Sequence, residues 1–541
     1  MRSSLLTVGA ALLSLVSVSA GHRAGLRARK PHALQEQKEA RERALAAEKS
    51  FFEKRSVNET SGGNLTYKYL NNRTSEFLIQ SLPDVPFDLG EIYSGLIPID
   101  NSNTSEALFF VFQPTVGAPV DEIVFWTNGG PGCSSLEAFL QENGMWTWQP
   151  GTYEPVLNPY SWANLTNMLW VEQPIGTGFS IGTPKATTEE EIADDFIKWF
   201  KNFQQTFGIK NHKIYVTGES YAGRYVPYIS AAMLDQNDTE YYNLSGALIY
   251  DGVIGEYDYV QGEIPAVPFV EANANLFNFN ETFMSELKGL HESCGYADYI
   301  DRYMKFPPVE NQPHLFFNYS DPKNQTCDLQ DIVNNEVLRV NPCFDIYSVN
   351  LMCPLQWDVL GFPTGLLDAQ DGIYFNRSDV KAAMHAPDYI DWTECSNEPV
   401  FVGGNGGPQM AGDFSLDPIQ KVLPRVIEAT NRVLISNGDF DMIILTNGSL
   451  LSIQNMTWNG QLGFQNQPNA SFIVDLPDLQ DQAVFAENGL DITGQGVMGI
   501  KHYERGLAWV ETFQSGHMQP QYQPRSSYRH LQWLLHRIED L

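Results

Sequence analysis

Short apolar runs that stop at glycine or proline recur through the first half of the chain. Glu122–Thr127, Asn167–Glu172 and residues 213–217 are rich in β-branched and aromatic side chains, and a Gly- or Pro-containing turn follows each. Runs without alternation suit strands of a parallel sheet that is covered on both faces. Between the second and third runs lies TTEEEIADDFIKWFKNFQQTFG, with Ile192, Phe196, Trp199, Phe200 and Phe203 spaced along one helix face. Thr188 and Glu191 stand at its start with the spacing of a capping box. Strand, helix, strand in this order predicts an α/β fold with a mostly parallel central sheet flanked by helices. Residues 244–250, RVLISNGDFD and GLAWVETFQSGHM supply further strands, and SSYRHLQWLLHRIEDL reads as a closing amphipathic helix.

The alternation stops between residues 256 and 365, where aromatics, prolines and four of the six cysteines crowd together. An inserted cap stapled by disulfides is expected there. Residues 1–20 have the form of a signal peptide: Arg2, a short apolar run, and small residues at 18–20. Residues 21–55 are charged and end in Lys54-Arg55, and are read as a propeptide. The expected core is therefore 56–255 and 366–541, split by the cap at 256–365. No later segment has the length and apolarity of a membrane anchor.

Composition narrows the partners. The formal charge is −31, and removal of the basic leader would make the remainder more acidic. Such a chain repels nucleic acid and anionic membranes and repels itself least in acid. Fourteen N-glycosylation sequons begin at Asn58, Asn64, Asn72, Asn103, Asn164, Asn237, Asn243, Asn280, Asn318, Asn324, Asn376, Asn447, Asn455 and Asn469. With the signal peptide they predict N-linked glycans and passage through the secretory route. The six cysteines fit three disulfides in that oxidising route. No Cys-x-x-Cys or His-rich cluster is present, so neither metal nor cofactor is expected.

One stretch carries chemistry. VTGESYAGRY places Ser220 between a strand and a helix, flanked by Gly218 and Ala222, in the form of a nucleophile elbow. A serine nucleophile needs a base and an orienting carboxylate, which follow in the order Ser, Asp or Glu, His in folds of this type. His517 in QSGHMQP is placed to face the serine, whereas His530 and His536 read as surface residues of the closing helix. Asp439 and Asp441, both after RVLIS, qualify equally as the carboxylate. Glu219, immediately before the serine, is unexpected, because a fixed negative charge there opposes an oxyanion.

The chain resembles the serine carboxypeptidases (peptidase family S10), in the manner of a fungal secreted or vacuolar member. The residues that carry the likeness are WTNGGPGCSS (126–135), EQPIGTGFS (172–180), GESYAGRYVP (218–227), NGDFDM (437–442) and GHMQPQYQP (516–524). The resemblance implies an α/β-hydrolase fold and removal of C-terminal residues from peptides and proteins through an acyl-enzyme. It implies Ser220 as nucleophile, His517 as base, Asp441 rather than Asp439 as orienting acid, and the amides of Gly130 and Tyr221 as oxyanion hole. It implies that Glu142 and Glu219, with Asn128 and Trp126, bind the substrate carboxylate. Two close carboxyls retain a proton, and a protonated glutamate donates to a carboxylate, so binding is expected to favour acid. Glu137 and Met518 fall where the departing side chain lies. Thr127, Glu172 and the stretch 519–522 depart from the usual family residues.

The resemblance also pairs Cys133 with Cys395. Among the four cysteines near the cap, the nested arrangement Cys294–Cys353 with Cys327–Cys343 is preferred. Secretion is the expected destination, with a vacuolar or lysosome-like compartment as alternative. An esterase or acyltransferase using the same triad, or a glycosylated binding protein with an inactive one, are the competing readings.

Overall fold

The computed structural model describes residues 67–315, 321–361, 372–403, 412–474 and 496–541. The expected signal peptide and propeptide, and the sequons at Asn58, Asn64 and Asn318, lie outside the described residues. The core is a ten-stranded sheet. Its strands are β1 (Tyr93–Asp100), β2 (Asn103–Gln113), β3 (Glu122–Thr127), β4 (Asn167–Glu172), β5 (Lys213–Glu219), β6 (Asn243–Tyr250), β7 (Val433–Gly438), β8 (Ala470–Val474), β9 (Gly496–Glu504) and β10 (Leu507–Thr512). They lie in the order β1-β2-β4-β3-β5-β6-β7-β10-β9-β8. The six strands from β4 to β10 in this order are parallel, and antiparallel pairs close both edges. This is the α/β-hydrolase fold.

Strands β3 and β4 are buried along their whole length, as expected for strands with helices on both faces. Strand β5 runs two residues beyond the expected end, because Gly218 and Glu219 continue the pairing with Ile249 and Tyr250. Glu219 is thus the last residue of a strand. Helix α1 (Glu189–Phe207) buries all five residues of the expected face, with Phe196 packed on Phe125 of β3 at 4.4 Å between ring centroids. Its cap is half of the expected box. Thr188 Oγ1 accepts from Glu191 N at 3.4 Å, but the Glu191 carboxylate turns to Thr187 N at 2.6 Å. Helix α2 (Ala222–Gln236) starts directly after the turn that holds Ser220.

Beyond β6 the chain is helical: α3 (Ala266–Ala272), α4 (Glu281–Ser293), α5 (Tyr296–Tyr303) and α6 (Leu329–Val340). Val267, Val270, Leu287, Leu329 and Val333 form a second apolar cluster, which also takes in Met442, Leu445 and Leu451. These helices therefore pack on the segment that follows Asp441. The nested cystine pairing is incorrect. Cys294 pairs with Cys327, and Cys343 with Cys353. Cys294 ends α4 and Cys327 stands just before α6, held by Tyr296 Oη donating to its carbonyl at 2.9 Å. Cys343 and Cys353 close a short local loop. Cys133 is bonded to Cys395.

The closing helix α7 (Pro524–Leu534) corrects another expectation. His530 is fully buried, stacked on Phe472 of β8 at 4.8 Å and hydrogen-bonded to Tyr250 Oη at 3.1 Å.

Candidate active site

The parallel strands direct three side chains to one edge of the sheet. Ser220 follows β5, Asp441 follows β7 and His517 follows β10, all at carboxyl ends, where ligands of such sheets bind. Ser220 has φ of 63°, a left-handed conformation rare for a residue with a Cβ. Backbone bonds hold it there: Ser220 N donates to Tyr250 O at 3.0 Å, and Gly223 N and Val253 N donate to Ser220 O at 2.9 and 3.0 Å. A Cβ at Gly218 would collide with Thr127 O and lie 2.7 Å from Ala222 Cβ. The small residues on either side of the serine are thus required by the closeness of the turn.

His517 is held on one side by Asp441. His517 Nδ1 and Asp441 Oδ2 are 2.8 Å apart, and both side chains are buried. Asp441 also accepts from Ile443 N at 2.7 Å and Ile444 N at 3.3 Å. The imidazole sits against the Tyr347 ring, 5.3 Å between centroids. Its Nε2 is buried and makes no hydrogen bond among the described residues. Asp439 instead accepts from Ser515 N at 3.2 Å, and burial pushes its carboxyl up to about 7. Of the two aspartates that the sequence left equal, Asp441 is the one bonded to the imidazole.

The loop after β3 lies over the nucleophile turn. A Cβ on Gly129 would collide with Tyr221 N and stand 2.7 Å from Ser220 Cβ. Gly130 is the next residue, so the structure brings the Gly130 and Tyr221 segments together beside Ser220. Tyr221 Oη donates to Asp413 Oδ2 at 2.6 Å, which fixes the residue after the serine from below.

Beside this turn, one amide gathers three carboxyls. Trp126 Nε1 donates to Asn128 Oδ1 at 2.8 Å, which turns Asn128 Nδ2 the other way. That nitrogen donates to Glu219 Oε1 at 2.9 Å and Glu137 Oε2 at 3.2 Å, and reaches Glu142 Oε1 at 3.5 Å. All three glutamates are buried. Burial pushes Glu142 up to about 8, against the opposing effect of hydrogen bonds from Asn128 and Glu219. Burial, then the charges of Glu142 and Glu137, push Glu219 well above the usual range. Burial and the charges of Glu394, Glu142 and Asp358 do the same to Glu137. Glu142 and Glu219 are hydrogen-bonded to each other, and among the described residues neither Oε2 has a further partner.

The carboxylate oxygens lie within 4.8 Å of one another, close enough to hold a cation. Burial raises all three carboxyls, which favours their protonated, hydrogen-bond-donating form.

Sequence reasoning missed several groups around this centre. Glu394, pushed up to about 7 chiefly by burial and then by Asp358, faces Glu137, yet it stands in a loop with no motif. Asp251, at the end of β6, is fully buried beside Asp441. The departures from family residues have structural partners. Glu172 accepts from Phe179 N at 2.6 Å and Trp392 Nε1 at 3.1 Å, and Gln173 Nε2 donates to Thr127 Oγ1 at 2.9 Å. Gln519 Nε2 donates to Asp251 Oδ2 at 2.6 Å.

Known proteins are similar to this chain over most of its length. The family model described as serine carboxypeptidase matches residues 83–537. The chain is 67% identical over 478 residues to serine-type carboxypeptidase F of Aspergillus niger, covering 88% of this chain and 89% of that protein. It is 43% identical over 493 residues to a probable serine carboxypeptidase of Arthroderma benhamiae, again covering 88% and 89%. Its fold is similar to the crystal structure of a prohormone-processing carboxypeptidase, Kex1, from Saccharomyces cerevisiae. There the TM-score is 0.64 at 23% identity, covering 86% of this chain and 96% of that one.

Proposed function

Since the chain belongs to the serine carboxypeptidase family and is a serine-type carboxypeptidase, we propose that it cleaves through Ser220, His517 and Asp441 and reads the chain end with protonated glutamates. Ser220 Oγ attacks the scissile carbonyl carbon while His517 Nε2 takes the hydroxyl proton. Asp441 holds the imidazole through Nδ1 and balances its positive charge. The carbonyl oxygen gains the negative charge and is met by the amides of Gly130 and Tyr221. As the tetrahedral intermediate collapses, the C–N bond breaks and His517 returns the proton to the departing amine. Water then attacks the acyl-enzyme by the same route, and the shortened peptide leaves.

The substrate's terminal carboxylate lies against Glu142 and Glu219. These two carboxyls receive it, with Asn128 and Trp126 fixing the cluster. The single observation that carries this reading is the gathering of Glu137, Glu142 and Glu219 on Asn128 Nδ2, with Glu219 adjacent to the nucleophile. A carboxyl that must keep its proton to bind a carboxylate works in acid. Hence the glutamate before the serine is a selector for chain ends, and activity on peptides is greatest at acidic pH.

Glu137 and Met518 border the departing residue, with Glu394 behind Glu137. The protein is secreted, or held in a vacuolar compartment. Glycans are carried on exposed sequons such as Asn72, Asn103, Asn280 and Asn469. Among the described residues no helix is long and apolar enough to cross a membrane. Mass spectrometry of a peptide mixture digested in acid tests the proposal. Ladders shortened from the C-terminus, weaker for amidated peptides and abolished in Ser220→Ala, are expected. Internal cleavage, or equal loss from amidated peptides, overturns it.

A further inference from the structure

Behind the Asp441–His517 pair stands a second buried carboxyl that the mechanism above does not use. Asp251 ends β6 with φ of 42°, and its N–H donates to Ser436 O of β7 at 2.8 Å. Its Oδ1 accepts from Gly438 N at 2.8 Å, at the start of the segment that carries Asp441. Its Oδ2 accepts from Gln519 Nε2 at 2.6 Å, two residues after His517. Gln519 Oε1 in turn accepts from Ser436 Oγ at 2.8 Å, which is 3.0 Å from Thr512 Oγ1. One side chain thus connects the ends of β6, β7 and β10. We propose that Asp251 is a positioning residue for the general base, a carboxylic acid that ties the Asp441 segment to the His517 segment and hydrogen-bonds the Asp441 carboxylate from behind.

Two carboxylates side by side in a dry interior cannot both be ionised cheaply. Asp441 accepts from three donors, His517 Nδ1, Ile443 N and Ile444 N, so of the two carboxyls Asp251 is the one placed to donate a proton. Burial and then the Asp441 charge hold the Asp251 carboxyl well above the usual range, against the opposing bonds from Gln519 and Gly438. The other titratable groups that face it are Glu219 at the end of β5 and Tyr250 on its own strand. A hydrogen bond donated into Asp441 spreads that carboxylate's charge. Asp441 then binds a protonated imidazole less strongly, and the base stays free in more acidic solution. That is the condition an acid-working serine hydrolase needs, and the inference rests on the Ser220–His517–Asp441 reading proposed above.

The test is the pH dependence of kcat, measured with saturating ester substrate so that recognition of the chain end does not enter. Asp251→Ala removes both the clamp and the donor. Its kcat is expected to fall about tenfold or more, and the acid limb of its profile to move up by about one pH unit. Asp251→Asn keeps an N–H donor toward Asp441. It gives up one accepting oxygen of the clamp, so its kcat is expected to lie between those of Asp251→Ala and wild type, with the acid limb restored. An acid limb unmoved in Asp251→Ala, or one moved equally in both variants, overturns the proposal. If Asp251→Ala does not accumulate as folded protein, Asp251→Asn against wild type decides. The amide cannot ionise, so activity should extend further into alkaline solution, and a lowered kcat with an unchanged alkaline limb overturns the proposal. Labelling of Ser220 by a serine-directed phosphonate in the wild type, lost in His517→Ala, checks the underlying triad separately.

Discussion

Asp441 and His517, 76 residues apart in sequence, meet through one bond of 2.8 Å between Oδ2 and Nδ1. Adjacent parallel strands, β7 and β10, deliver them to the same edge of the sheet. Asp439, two residues earlier, follows the same strand but binds Ser515 N instead. Ser220→Ala, His517→Ala and Asp441→Asn should therefore each lower kcat for peptide hydrolysis by about three decades or more while the fold persists. Asp439→Asn should stay within about tenfold of wild type. Kinetics with a chromogenic peptide, beside circular dichroism, checks this, and an inactive Asp439→Asn with a near-normal Asp441→Asn would reverse the assignment.

Glu137 reports on the departing residue. Its carboxyl is held well above the usual range by burial and by Glu394, Glu142 and Asp358, so it is neutral in acid and gains charge as pH rises. A negative charge beside the departing side chain favours Lys and Arg. The ratio of kcat/KM for peptides ending in Arg and in Leu should rise with pH in the wild type, by about tenfold. It should lose that dependence in Glu137→Gln. A ratio that is flat in the wild type, or unchanged by the substitution, disposes of the role.

The buried carboxyls also bear on stability. Glu142 and Glu263 are pushed up to about 8, and Glu172, Glu394 and Asp439 to about 7, burial being the first cause in each. Between the ordinary carboxylate range and these values the folded chain binds more protons than the unfolded one. Stability then falls as pH rises. The contribution is fully present below about pH 4.5 and is lost by about pH 8. Urea unfolding should give a higher midpoint at pH 5 than at pH 8. Equal midpoints, or the reverse order, would contradict the prediction.

The sheet centre was legible in sequence because β3, β4, β5 and β6 have little polar alternation and end at Gly or Pro turns. The edge strands were not. β1 reads YSGLIPID, with glycine and proline inside it, and the exposed positions of β8 and β9 blur their pattern. His530 looked like a surface residue because polar neighbours surround it in sequence, whereas its burial comes from Phe472 and Tyr250 on other strands. The cap cystines could not be paired because four cysteines allow three pairings and only the helix packing selects one. The Ser220 turn was legible because its small residues are a local need. Asp251 was invisible, since nothing near it in sequence shows that the end of β6 meets Asp441.

The central claim is that Glu142 and Glu219 read a free chain end while they hold a proton. Raising the pH should ionise them and repel the substrate carboxylate, so KM for a free peptide should climb by about tenfold or more from pH 5 to pH 8. Over the same range kcat should persist or rise, because His517 must be neutral to act as base. The C-terminally amidated form of the same peptide carries no carboxylate, so its KM should stay nearly flat, and Glu219→Gln should flatten the profile of the free peptide. The most direct measurement is KM against pH for the free and amidated peptide with the wild-type enzyme. Diverging profiles are the result expected, and superimposable profiles would show that the two carboxyls do not read the chain end.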